Sequence, residues 1–159
     1  MDILYHASPD KNLAIIRPQR TLSKDVYTGD YVFATADKGL AAMYLATKGI
    51  ATLMNPGASK PRIIICADPE AYAQRDSGGA IYTVPADTFA QSPQLGLEDT
   101  EMVSQHDIVP LNKEVYDSSL AAMKTFGIQV YFVNQEVFGQ IMATREEDKI
   151  AAELDAYLG

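Results

Sequence analysis

Three consecutive isoleucines followed by a cysteine, Ile63-Ile64-Ile65-Cys66, constrain this chain more than any other stretch. With Arg62 they make the clearest buried strand in the sequence, because a short continuous apolar run rich in β-branched side chains belongs inside a sheet. Cys66 is the only cysteine and reads in that setting as a small buried hydrophobe rather than a reactive thiol. An intramolecular disulfide is excluded, which fits a reducing cytoplasm.

Other apolar runs fall at residues 2–6, 31–35, 80–84, 102–104, 108–109 and 128–133, and each predicts a strand. The first ends at the turn signal Ser8-Pro9-Asp10. Ala14-Ile15-Ile16 is a further short run closed by Pro18, and residues 19–29 are polar and aperiodic, which predicts a loop. Asn55-Pro56-Gly57-Ala58-Ser59 reads as a turn, residues 74–79 as a polar segment, and residues 85–99 as a long connection. Thr35 or Asp37 can cap a following helix, in which Leu40 with Tyr44 and Ala41 with Leu45 fall four apart on one apolar face. A second helix is expected over residues 120–126, capped by Asp117 or Ser118 and stopped by Gly127.

The tail from residue 134 carries strong helix formers, with Ile150, Leu154 and Leu158 four apart. Its charge run Arg145-Glu146-Glu147-Asp148-Lys149 reads as a solvated face. Strands outnumber helices in the first two thirds and do not alternate with them, which argues for an α+β fold. At 159 residues, with no repeat, low-complexity tract or linker, one domain is expected over 1–159, residues 133–159 forming a C-terminal helical extension.

Hydrophobic residues at 47% and charged residues at 21% match a soluble globular protein rather than a disordered one. The opening Met-Asp-Ile-Leu-Tyr-His has neither a basic start nor a long apolar stretch, so no signal peptide is expected. No run reaches the roughly 18 apolar residues of a bilayer span. The net charge of -8, with 13 scattered basic residues, disfavours nucleic acid as a partner. The glycines take neither phosphate-loop nor dinucleotide-fingerprint spacing. One cysteine and two histidines, His6 and His106, are too few for a zinc site.

A constellation remains. Tyr5-His6-Ala7-Ser8 ends the first strand. Tyr31-Val32-Phe33-Ala34-Thr35 precedes a helix with Ala41-Ala42-Met43-Tyr44. Glu101-Met102-Val103-Ser104 opens a later strand with an acid. In order and spacing these motifs resemble the ADP-ribosyltransferase fold of the poly(ADP-ribose) polymerase type. There, strands ending in Tyr/Phe-His-Gly-Thr, a second-motif strand with an Ala-x-Tyr helix, and a strand opening with Glu surround one cleft. The small rifampin ADP-ribosyltransferases look similar over a longer span, with a segment like Ile81-Tyr82-Thr83-Val84-Pro85 before the third motif. The resemblance covers roughly residues 3–111.

It implies a compact ADP-ribosyltransferase-like fold of split mixed and antiparallel sheets, with flanking helices and a C-terminal helix. It also implies a cytoplasmic glycosyltransferase that takes NAD as substrate, cleaves the nicotinamide–ribose bond and passes ADP-ribose to an unknown acceptor, protein or small molecule. His6 would bind a ribose, Glu101 would be the catalytic acid residue, Tyr44 and Tyr31 would supply stacking rings, and Ala7 and Ser8 would hold the carboxamide. Here the glycine after the histidine is Ala7, and the second-motif tyrosine position falls on Val32, one residue after Tyr31. Period two sends those two side chains to opposite faces.

Competing readings attach to each residue. His6 can be a satisfied strand-end polar group, Tyr44 core, Tyr31 a half-buried strand aromatic, and His106 beside Asp107 a solvated turn residue. Glu98 and Asp99 compete with Glu101. The alternatives for the whole chain are a catalytically inactive binding module for a nucleotide or protein, an RNA 2′-phosphotransferase gripping phosphate with Arg17 and Arg20, and a partner-binding protein that forms an oligomer through the C-terminal helix.

Overall fold

The isoleucine run forms a strand with a neighbour on each side, in a computed structural model that describes residues 2–22, 28–91 and 101–158. In chain order the elements are β1 (Ile3–Ser8), β2 (Gln19–Leu22), β3 (Thr28–Thr35), α1 (Lys38–Met43), β4 (Thr52–Asn55), β5 (Arg62–Cys66) and α2 (Pro69–Arg75). Then follow β6 (Gly79–Pro85), β7 (Glu101–Ser104), β8 (Asn112–Tyr116), α3 (Ser119–Thr125), β9 (Gln129–Val133), α4 (Gln135–Thr144) and α5 (Glu147–Ala152).

One sheet runs β2-β3-β1-β6-β8, with β7 also on β3, and its pairings are antiparallel. The other is β4-β5-β9, mixed, with β5 antiparallel to β4 and parallel to β9. The fold is α+β, as the lack of regular strand–helix alternation predicts.

Helix α1 lies between the sheets. Leu40 and Met43 pack with Ile63, Ile65 and Val130, while Ala41, Ala42 and Leu45 pack with Ile81 and with Ala122 of α3. A helix covered on both sides is apolar nearly all round. Asp37 starts it by accepting the Gly39 and Leu40 N–H groups. Tyr44 at its C-cap is 41% exposed. It therefore leaves the single apolar face expected to pair it with Leu40. Helix α3 begins at the Ser118 cap and ends at Gly127, which takes a positive φ of 69°.

Elsewhere the sequence reading needs correction. The expected loop at 19–29 contains β2 and the start of β3, and residues 23–27 lie outside the described part. Strands β2, β4 and β8 each have one neighbour and are held by backbone pairing without an apolar run to announce them. Ile16 and Ile108 meet only as an isolated bridge. Helix α2 had a visible signal in Asp68-Pro69: the Asp68 carboxylate accepts the Ala71 N–H, and Pro69 occupies the first turn. Cys66, at the last position of β5, is half-buried rather than buried.

The tail is two helices. The chain turns at Arg145, whose φ is 58°, and Leu158 bridges Val130 instead of continuing a helix. Ile141, Ile150 and Leu154 lie against Ile64, Tyr131 and Val133. The charge run is not merely solvated either: the buried Arg62 guanidinium donates to Glu147 and Asp148, and Asn55 Nδ2 donates to Glu147 at 2.9 Å.

Candidate functional site

The first sheet is not paired evenly. Strand β1 pairs with β6 from Ile3↔Pro85 through Ser8↔Ala80, but meets β3 at the single register pair Tyr5↔Thr35. Beyond that pair the strands part, and a hollow of about 350 Å³ lies in the fork. Residues 6–9 line one side and residues 31–33 the other, with Ile15, Ile16 and Arg17 from the intervening loop and Gln19 from the start of β2. That loop is tied down. Tyr82 Oη donates to the Asp10 carbonyl at 2.6 Å and accepts the Leu13 N–H at 2.9 Å, and Ile16 exchanges two backbone hydrogen bonds with Ile108.

His6 holds the fork. Its Nδ1 lies 2.6 Å from the Phe33 carbonyl oxygen. A carbonyl only accepts, so Nδ1 carries the proton and Nε2 is the acceptor of the neutral ring. Burial depresses the imidazole pKa below its ordinary 6.5, outweighing the opposing effect of the Phe33 hydrogen bond. Near neutral pH the group thus presents a lone pair suited to a hydroxyl.

Ala7 and Ser8 also line the hollow. The Ala7 methyl packs with the cluster of Ala41 and Leu45, and Ser8 Oγ accepts the Asp10 N–H at 3.1 Å, starting the turn. Tyr31 lines it too, 6% exposed, with Phe33 at a ring-centroid distance of 6.2 Å. The Tyr31 ring lies over Gly29, where an added Cβ would fall 2.5 Å from the ring. Val32 points the other way into the core, as period two requires.

The six expected residues do not surround one hollow. Tyr44 lines a neighbouring hollow of about 240 Å³ with Leu45, Thr47, Arg75, Asp76 and Gly78. Glu101, half-buried, lines neither. It opens β7 opposite Thr35, next to the pair Phe33↔Val103. Directly paired side chains share a face, and Phe33 is its diagonal neighbour at about 7–8 Å between backbones. Glu101 therefore stands on the Tyr31–Phe33 face, whereas Leu4 and His6 leave β1 on the other face. His106 is exposed outside the hollow, its N–H donated to Ser104 Oγ at 3.2 Å. Glu98 and Asp99 lie outside the described residues, as does the side chain of Arg20.

Arg17 was a phosphate candidate from the sequence, but Lys48 and the charge balance of the fork were not foreseen. No Asp or Glu of the described residues lines it, although the chain carries -8. Arg17 and Lys48 both do, and neither forms an ion pair among the described residues. Such a hollow favours an anion with flat rings. Lys48 gave no local signal, because it reaches the fork from the turn after α1. Among the described residues there is no group of His, Cys, Asp and Glu that could hold a metal ion, and no helix is long and apolar enough to cross a membrane.

Comparison with protein-family models, with curated proteins and with solved structures finds no match.

Proposed function

We propose that the fork is a dinucleotide site and that the chain is an ADP-ribosyltransferase taking NAD as substrate. The observation that carries this is His6, anchored through Nδ1 to Phe33 and leaving Nε2 as acceptor, in a hollow that also holds Tyr31, Phe33, Arg17 and no acid of the described residues. A neutral imidazole can accept from a ribose hydroxyl, aromatic walls can flank a flat ring, and cations suit the phosphates. The ordered motifs around His6, Tyr31, Tyr44 and Glu101 support the same reading.

In the reaction, the bond between nicotinamide and the ribose C1 breaks, and nicotinamide leaves with the electron pair. An acceptor nucleophile adds to the oxocarbenium-like carbon and gives up its proton to Glu101 or to water. The carboxylate also steadies the cationic sugar. Incubation with NAD labelled in the nicotinamide tests this. Release by the wild type and its loss in Glu101→Gln support the reading; release unchanged in that variant removes Glu101 from it.

One observation favours a second reading, a binding module without chemistry: Glu101 does not line the fork that holds His6. Calorimetric binding of NAD or ADP-ribose with no nicotinamide release identifies that version. Absence of binding rejects both.

A further inference from the structure

The two hollows adjoin. The fork of His6 and the hollow of Tyr44 share two lining residues, Pro9 and Lys48. Pro9, directly after the end of β1, stands between them, and Lys48 borders both sides. Gly79 packs closely against that partition: a Cβ there would fall 2.3 Å from the Ser8 carbonyl oxygen and 3.1 Å from Pro9 Cα.

Ligand sites for small molecules enclose roughly 300–1,000 Å³. At about 350 Å³ and 240 Å³, each hollow alone is at or below the small end of that range, while the pair is well inside it. Each half has an aromatic wall, Tyr31 and Phe33 in one and Tyr44 in the other. Tyr44 is exposed on a helix whose neighbouring residues Leu40 to Met43 and Leu45 are buried. The only carboxylate lining either hollow among the described residues is Asp76. Its oxygens accept from the Ser119 N–H and hydroxyl and from the Leu120 N–H, capping α3, so it is occupied.

Resting on the NAD reading above, we infer that one pyrophosphate-bridged dinucleotide lies across the Pro9 partition. One ring system sits in the His6 fork, the other lies against Tyr44, and Lys48 meets the pyrophosphate at the crossing. Lys48 is a point charge on a flexible stem, suited to a phosphate that must be held without bidentate geometry. Its exposed position makes it replaceable without loss of fold.

Calorimetry with NAD, diadenosine diphosphate and adenosine, on wild type and Lys48→Glu, tests the inference, with circular dichroism confirming the fold. Removing a charged partner of phosphate and reversing its sign is expected to weaken both dinucleotides by about tenfold or more, and to leave adenosine unchanged. Equal NAD affinity in wild type and variant overturns the role of Lys48 while the NAD reading survives. Diadenosine diphosphate bound by the wild type and lost in the variant, with no NAD binding, keeps the bridging groove and removes NAD as its ligand. No binding of either dinucleotide to the wild type removes both.

Discussion

Strands β5 and β1 are each flanked on both sides, and they meet opposite fates. Strand β5 is paired with β9 from Arg62↔Gln129 to Cys66↔Val133, and with β4 from Asn55↔Arg62 to Thr52↔Ile65. Ile63, Ile64 and Ile65 are fully buried between α1 on one face and the C-terminal helices on the other. Even Arg62 at its start is closed over by Glu147 and Asp148. Strand β1 keeps β6 along its length and leaves β3 after one pair, and the polar side chain of His6 takes up a carbonyl across the gap. The difference teaches where a site can arise. A strand whose side chains are apolar on both faces has nothing to gain by parting from a neighbour. A strand with a histidine at the parting can satisfy a backbone group there and leave an opening.

The largest effect should come from the sealed side. Ile64→Ala removes a fully buried side chain packed with Tyr131, Val133 and Ile141, and large-to-small core changes of this type cost roughly 2–5 kcal/mol. Urea unfolding should show the loss, while ligand affinity of the residual folded protein stays unchanged. A loss under 1 kcal/mol would mean that the second sheet can collapse around the cavity and is not the rigid half.

A smaller but more telling effect is expected at the fork. Gly79→Ala places a methyl against the Ser8 carbonyl and Leu45. Overpacking costs roughly 1–3 kcal/mol, less than the core deletion, but here the displaced backbone is the partition between the two hollows. Dinucleotide affinity should fall along with stability, the reverse of the Ile64 pattern. If both variants lose stability and neither loses affinity, the contrast between sealed and open halves carries no functional meaning.

What was legible follows the same division. Strands β1, β3, β5, β6, β7 and β9 announce themselves by apolar runs, and α3 by Ser118 and Gly127. Strands β2, β4 and β8 were not legible, because none carries the apolar run that marks the others and backbone pairing alone holds them beside β3, β5 and β6. The break of the tail at Arg145 had no glycine to mark it. Of the site, His6 and Tyr31 could be read from motif order, and the structure brings them to one hollow. Phe33, Arg17 and Lys48 join them only because β1 and β3 part, and strand divergence has no local sequence signature. The face on which Glu101 stands, shared with Tyr31 and Phe33, depends on the cross-strand register Tyr5↔Thr35↔Glu101, a property of three segments at once.

The smallest predicted effect isolates His6 itself. Its folded pKa lies below the 6.5 of an unperturbed imidazole, chiefly because the ring is buried. On lowering the pH, the unfolded chain therefore takes up this proton before the folded one does. The contribution of the group to stability is complete above about 6.5 and declines as pH falls from there through the lower folded value. Gln in place of His6 retains an N–H donor for the Phe33 carbonyl and does not titrate. The stability difference between wild type and His6→Gln should thus be constant above pH 6.5 and move against the wild type below it, measured by urea unfolding at a series of pH values. Ile64→Ala, on the sealed side, should keep a pH-independent offset from wild type over the same range. A difference for His6→Gln that stays flat on acidification, or that turns in favour of the wild type, would mean the imidazole is not held neutral in the fork. Its Nε2 would then not serve as the acceptor that the proposed ribose contact requires.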